Sequence, residues 1–231
     1  MKVILLPGLD GTGVLFKPLL DALPSNIGSL IIDYPANKKL SYPELVNYVI
    51  DKLPNERFVL VGESFSGPIA YQIALLMPDK VASVIFVATF LSNPRKFLLR
   101  LSSFLPISLL LSLPIPTLII KSLLLGYSAN TEIIGLFRQS LKQVSPQVLS
   151  FRLQEISKLT NRHQLCDITS IYIQATDDRL VPDNCVKDFR TVFKNLKIFK
   201  VKGAHFILQA NPIACAEIMA KEIRLITRHS S

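Results

Sequence analysis

A serine hydroxyl attacks a carbonyl at neutral pH only when a base takes its proton and a third group holds that base in the right tautomer. One serine of this chain sits in a setting suited to that task. Residues 58–67 read Phe-Val-Leu-Val-Gly-Glu-Ser-Phe-Ser-Gly. A short apolar run leads to Ser64, with Gly62 two residues before it and Ser66 two residues after. A tight strand-to-helix turn lifts such a hydroxyl above the end of a sheet and admits only small residues at those two flanking places. Ser66 departs from the usual glycine, and Gly67 beside it lets the following helix approach closely. An ordinary strand–turn–helix with a polar turn is the competing reading, so the partners decide.

Three histidines are available as the base. His229 lies at the chain end, where termini fray. His163 sits in a polar stretch. His205 lies in Val201-Lys202-Gly203-Ala204-His205-Phe206, after a strand pattern and before the last helix. That is a loop past a strand's C-terminal end, where open α/β sheets hold their sites. The acid is sought in a similar loop, and Gln174-Ala175-Thr176-Asp177-Asp178-Arg179-Leu180-Val181-Pro182 provides it. Asp178, which stands before the Leu180-Val181-Pro182 turn, is preferred to Asp177. The other aspartate is then a solvated loop charge or a cap for the helix beginning near Asp183. Acyl transfer also needs donors for the developing oxyanion. The N–H of Phe65, next after the serine, is one candidate. The N–H of Leu9, in the loop Leu6-Pro7-Gly8-Leu9-Asp10-Gly11-Thr12-Gly13, is the other. A phosphate-binding turn fits this loop poorly: Gly11-Thr12-Gly13 does not complete Gly-x-Gly-x-x-Gly, and no Gly-Lys-Ser/Thr follows.

The elements that would carry these residues alternate. Strands are expected at Val3–Leu6, Leu30–Ile32, Phe58–Val61, Val84–Val87, Ile171–Ala175 and Leu196–Val201. Helices are expected at Leu15–Leu23, from Ser41 to Leu53 with Ser41 and Glu44 as a capping box, and at Pro68–Met77, Asn184–Phe193 and Ile213–Leu225. The strands are continuous apolar runs, as sheets covered on both faces require. Repeated strand–helix units imply a doubly wound, mostly parallel α/β sheet.

The 231 residues suit one domain with a sizeable core, 49% hydrophobic and 19% charged. The formal charge of +9 is spread in runs of no more than two basic residues, without interleaved aromatics. It reads as solvated surface with a bias toward anionic lipids or acidic substrates, and nucleic acid is not expected as a partner. Three cysteines without Cys-x-x-Cys spacing fit a reducing, cytoplasmic setting and neither a zinc site nor a disulfide framework. The apolar run after Met1 is too short for a signal-peptide core.

From about Asn93 to Leu165 the alternation stops. Between Arg100 and Lys121 lie 20 residues without a charge, the minimal length of a membrane span. Pro106, Pro114 and Pro116, four serines and the α/β units on either side argue against one. Two readings remain: a helical cap inserted into the sheet domain (residues 93–165, against a core of 1–92 and 166–231), or a cap that also touches a membrane surface.

With these pieces placed, the chain resembles the α/β-hydrolase superfamily along nearly its whole length. Four motifs carry the resemblance in order: Pro7-Gly8-Leu9-Asp10-Gly11, Gly62-Glu63-Ser64-Phe65-Ser66-Gly67, Asp178 before Leu180-Val181-Pro182, and Gly203-Ala204-His205. The chain order Ser64, Asp178, His205 is that superfamily's order. Pro7 replaces the histidine with which many members open the first loop. The resemblance implies that the first two antiparallel strands of the family are absent, that a cap follows the sixth family strand, and that no metal or cofactor is used. It implies an enzyme cleaving a small-molecule ester or thioester, with the leucine-rich cap favouring an apolar acyl chain. Acyl transfer to an alcohol by the same triad, and a non-catalytic scaffold binding lipid or a partner, are the alternatives.

Overall fold

The computed structural model describes residues 1–94, 116–127 and 129–228. In chain order the main elements are β1 (Lys2–Leu6), α1 (Lys17–Ala22), β2 (Ser29–Ile31), α2 (Tyr42–Ile50), β3 (Phe58–Glu63), α3 (Gly67–Leu76) and β4 (Val81–Val87). Next come α4 (Thr131–Lys142), α5 (Pro146–Lys158), β5 (Ser170–Ala175), α6 (Val186–Val192), β6 (Leu196–Val201) and α7 (Pro212–Arg228). The six strands form one sheet in the order β2-β1-β3-β4-β5-β6, and every pairing is parallel.

Residue parity shows why the strand sequences are apolar throughout. Ile4, Leu6, Phe58, Leu60, Val84, Phe86 and Tyr172 face one core, shared with α2, α3 and α6. Val3, Leu5, Val59, Val61, Ile85, Val87, Ile171 and Ile173 face the other, shared with α1 and α7. Successive side chains of a strand point to opposite faces, so a sheet covered on both sides must be apolar at every position.

Most expected elements are found within a few residues, and the differences have physical causes. Strand β4 begins at Val81, three residues earlier than its apolar run suggests, because Ser83 is a buried strand residue whose hydroxyl donates to the Thr169 carbonyl at 2.7 Å. The expected helix Leu15–Leu23 is a 3₁₀ turn, Val14–Phe16, followed by α1. The capping box at Ser41 and Glu44 is present. Between β4 and β5 the described residues are helical or irregular: a turn at Thr117–Ile119 passes into π-helical turns at Ile120–Leu125, and α4 and α5 follow. Most of the charge-free run, 101–115, and His229 lie outside the described residues. Among the described residues no helix is long and apolar enough to cross a membrane.

Helix α3 starts hard against the end of β4. A Cβ on Gly67 would stand 2.0 Å from the Thr89 hydroxyl oxygen and 2.9 Å from the Phe90 carbonyl oxygen. Thr89 cannot step aside freely, because its hydroxyl donates to the Ser64 carbonyl. Gly67→Ala is therefore expected to destabilise the fold by about 2–4 kcal/mol. Urea denaturation checks this; a change below about 0.5 kcal/mol, the size of an ordinary surface substitution, would show that the contact relaxes without cost.

Candidate active site

The strand order places the switch point between β1 and β3, where the chain leaves β1 for one side and returns as β3 on the other. Crevices at such points, beyond the strands' C-terminal ends, are where open α/β sheets bind ligands. Leu6 is the register partner of Gly62, so the loop after β1 and the turn after β3 leave the sheet side by side. A Cβ placed on Gly8 would lie 3.9 Å from the Cβ of Ser64.

Ser64 takes φ of 48°, left-handed for a non-glycine residue. The turn is as tight as its small residues suggest: a Cβ on Gly62 would come within 2.9 Å of the Ala70 Cβ and the Ser66 carbonyl oxygen. Ser66 is fully buried, and its hydroxyl has a use that glycine could not supply. It donates to the Pro7 carbonyl and accepts from the Tyr34 hydroxyl at 2.5 Å. The departure from glycine thus ties the serine turn to the β1 loop.

The structure brings Ser64, His205 and Asp178 together. Ser64 Oγ lies 2.8 Å from His205 Nε2, and His205 Nδ1 lies 2.8 Å from Asp178 Oδ2. The side chains of His205 and Asp178 are each only 4% exposed. A carboxylate can only accept, so Nδ1 carries the proton and Nε2 is free to accept from the serine hydroxyl. Asp178 is itself held: its Oδ1 accepts from the N–H groups of Leu180 and Val181, both at 2.8 Å. Asp177 is exposed, and its backbone N–H donates to the Gly203 carbonyl at 2.9 Å. Among the described residues no group of histidines, cysteines and carboxylates is placed to hold a metal ion.

Peptide planes fix where the two candidate N–H donors point, because C=O and N–H are antiparallel across a trans peptide. The Ser64 carbonyl accepts from Thr89 Oγ1 and from the Gly67 N–H, which turns the Phe65 N–H the opposite way. The Tyr42 hydroxyl donates to the Phe65 carbonyl at 3.2 Å, and the two rings stack at 4.8 Å. In the β1 loop, the Gly8 carbonyl accepts from the Gly11 N–H at 3.1 Å, which sets the Leu9 N–H. Among the described residues neither the Leu9 nor the Phe65 N–H has an acceptor.

Several polar residues around the site have no local sequence signal. Arg152 of α5 is buried and donates to the carbonyls of Leu9, Asp10 and Pro35. Glu155, one turn on, is also buried and accepts from the Tyr42 N–H at 3.3 Å, at the start of α2. The available hint is periodicity: Arg152 and Glu155 share the face of α5 that Val148, Leu149 and Ile156 bury. His163 joins Ser92 and Asp188 in a second cluster, but with the roles reversed. Ser92 donates its proton to Asp188 Oδ2 at 2.6 Å and can only accept from His163 Nε2, at 2.9 Å.

Glu63, directly before Ser64, is buried and accepts from Gln209 Nε2 at 3.1 Å. Burial pushes its carboxyl from 4.5 up to about 7, with Asp10 adding to the rise and the Gln209 bond and His205 opposing it. The folded pKa lies above the unfolded one. The stability it confers is therefore complete below 4.5 and is lost as pH rises through about 7. Relative to Glu63→Gln, the wild type is expected to lose on the order of 2–3 kcal/mol of stability across that window. Denaturation midpoints of both proteins as a function of pH test this, and parallel curves would contradict it.

Known proteins place the fold. The family model described as the alpha/beta hydrolase fold matches residues 3–111. No curated protein matches the chain. Among solved structures, a thermophilic esterase from Thermogutta terrifontis is similar with a TM-score of 0.78 and 12% identity, over 98% of this chain and 90% of that one. A lipase-esterase related protein from Clostridium acetobutylicum has a TM-score of 0.74 and 17% identity, over 95% and 93% of the two chains. An enzyme that degrades N-acyl homoserine lactones has a TM-score of 0.69 and 15% identity, over 95% and 92%. The chain has the α/β-hydrolase fold.

Proposed function

We propose that the protein is a serine hydrolase that cleaves a carboxylic ester or thioester through an acyl-enzyme on Ser64. The observation that carries this reading is the unbroken chain from Ser64 Oγ through His205 to Asp178, two contacts of 2.8 Å each, on a hydroxyl raised by a left-handed turn. The esterase-like neighbours support the same class of substrate, a small-molecule ester.

In this reading His205 Nε2 takes the Ser64 proton as Oγ bonds to the acyl carbon. Asp178 keeps the imidazole oriented and stabilises its cationic form. The carbonyl oxygen becomes an oxyanion and accepts from the N–H groups of Leu9 and Phe65. The bond to the leaving alcohol or thiol breaks as His205 returns the proton to it. A water molecule then gives a proton to His205 Nε2 as it attacks the acyl carbon, and the bond to Ser64 Oγ breaks as His205 returns that proton to Oγ, releasing the acid and restoring the resting triad. No metal or cofactor is required for these steps.

The acyl side is read as apolar. The inter-strand helices meet the core in a cluster of Leu15, Ile120, Leu125, Ile134 and Phe137, against which Phe206, the residue after His205, is packed. Each buried methylene adds about 0.8 kcal/mol. A cavity of about 440 Å³ beside Gly203 and Ala204 is not lined by Ser64, so it does not account for acyl selectivity.

p-Nitrophenyl esters of increasing acyl length test the proposal. Ser64→Ala and His205→Gln are each expected to lower kcat by at least about 10⁴-fold with the fold retained. Asp178→Asn is expected to do so by about 10⁴-fold, through the wrong tautomer. In the wild type, kcat/KM is expected to rise from acetyl toward medium chains. Unchanged turnover in Ser64→Ala would overturn the assignment, and a flat chain-length profile would overturn the apolar acyl site.

A further inference from the structure

We propose that Arg152, a residue of α5 outside the sheet, positions the Leu9 N–H as an oxyanion donor by clamping the loop after β1. This rests on the hydrolase reading above and adds to it a residue that acts without touching substrate.

Arg152 is 2% exposed, and burying a guanidinium is costly unless its donors are met. It has no carboxylate partner within hydrogen-bonding distance among the described residues. Its donors go to main-chain oxygens instead: Nη1 to Leu9 at 2.8 Å and Asp10 at 2.7 Å, and Nη2 to Pro35 at 3.2 Å. The guanidinium also lies over the Tyr34 ring, 5.5 Å from its centroid. The loop is shaped around this group. Gly11 has φ of 70°, and a Cβ there would come within 2.5 Å of Arg152 Nη1.

The clamp reaches Leu9 through two peptide planes. Fixing the Asp10 carbonyl orients the Gly11 N–H on the other side of the same trans peptide. That N–H donates to the Gly8 carbonyl at 3.1 Å. Fixing the Gly8 carbonyl in turn orients the Leu9 N–H. The remaining loop carbonyls are held as well: Pro7 accepts from Ser66 Oγ, Leu9 from Arg152, and Gly11 from the Tyr34 N–H at 2.7 Å. Five consecutive carbonyls, Pro7 to Gly11, are thus engaged. Remove Arg152 and two of them lose their partner, including the one that starts the relay.

The position of Arg152 matters as much as its chemistry. The start of α5 is tied to the loop by apolar contacts as well, Leu9 packing against the cluster of Val144, Val148 and Leu149, and the Ser145 N–H that precedes the helix donates to the Ala36 carbonyl of the β2–α2 connection at 3.1 Å. The oxyanion loop is therefore held from the side of the inter-strand helices, not by the sheet alone.

The test compares the wild type with Arg152→Lys and Arg152→Met, using p-nitrophenyl butyrate as substrate and an alkyl trifluoromethyl ketone, which forms an oxyanion on the serine, as inhibitor. Arg152→Met is expected to lower kcat about 100-fold, with KM within about threefold and with ketone affinity falling in parallel with kcat/KM. Arg152→Lys, which keeps the charge and part of the bonding, is expected to recover at least about tenfold of that loss. If Arg152→Met does not fold, Arg152→Lys decides alone: kcat reduced with KM and melting behaviour near wild type supports positioning. A purely structural Arg152 would lower the melting temperature while leaving kcat and ketone affinity at wild-type values in folded protein, and that result would overturn the inference. Hydrolysis that persists in Ser64→Ala would instead overturn the parent reading, which separates the two failures.

Discussion

Parallel pairing of β1 with β3, Leu6 opposite Gly62, is the constraint on which the site depends. Neighbouring parallel strands are about 4.8 Å apart, so the segments leaving their C-terminal ends must share the same small volume. One of these is the Leu9 loop and the other is the Ser64 turn. Their proximity is what lets Ser66 bridge to Pro7, and it sets Gly8 of the loop beside Ser64. The histidine and acid arrive by the same geometry: the loops after β5 and β6 leave the same edge of the sheet, carrying Asp178 and His205.

Holding the site has costs that the surrounding core must offset. Ser64 and Ala88 both adopt positive φ, at roughly 1–2 kcal/mol each for an L-residue. Glu63, Arg152, Glu155 and Gln209 are buried polar groups, and Gln209 Oε1 is a buried oxygen without a partner among the described residues. The two apolar layers that sandwich the sheet supply the compensating burial. The polar groups cluster where the backbone has oxygens and N–H groups unmet by secondary structure: the β1 loop, the start of α2 and the serine turn. Arg152 and Glu155 meet main-chain groups in this way, a more dependable use of a buried charge than pairing it with another.

Much of the fold and three residues of the candidate site are legible in the sequence because their signals are local. Apolar runs marked strands, Ser41 and Glu44 marked a helix start, and small residues around Ser64 marked the turn. Position after a strand, together with scarcity, singled out His205 from three histidines. Asp178 and Asp177 are adjacent and alike in sequence, and what separates them is the 2.8 Å contact of Asp178 Oδ2 with His205 Nδ1. Arg152 was not legible in that way. Its partners Leu9 and Asp10 are 143 and 142 residues distant in the chain, and its only local trace is a charged residue on the buried face of α5. Ser66 read as a small imperfection in a motif, whereas its hydroxyl joins the two segments of the site. Ser83 hid the first residues of β4 for the same reason: a hydroxyl that looks polar in sequence is satisfied across the structure by Thr169.

The central claim is that Ser64 is an activated nucleophile, and covalent capture tests it most directly. Intact protein treated with a fluorophosphonate and mapped by peptide mass spectrometry is predicted to carry one adduct, on Ser64, and to lose it when His205 is replaced by glutamine. No adduct in the wild type, or an adduct on another serine such as Ser92, would contradict the account.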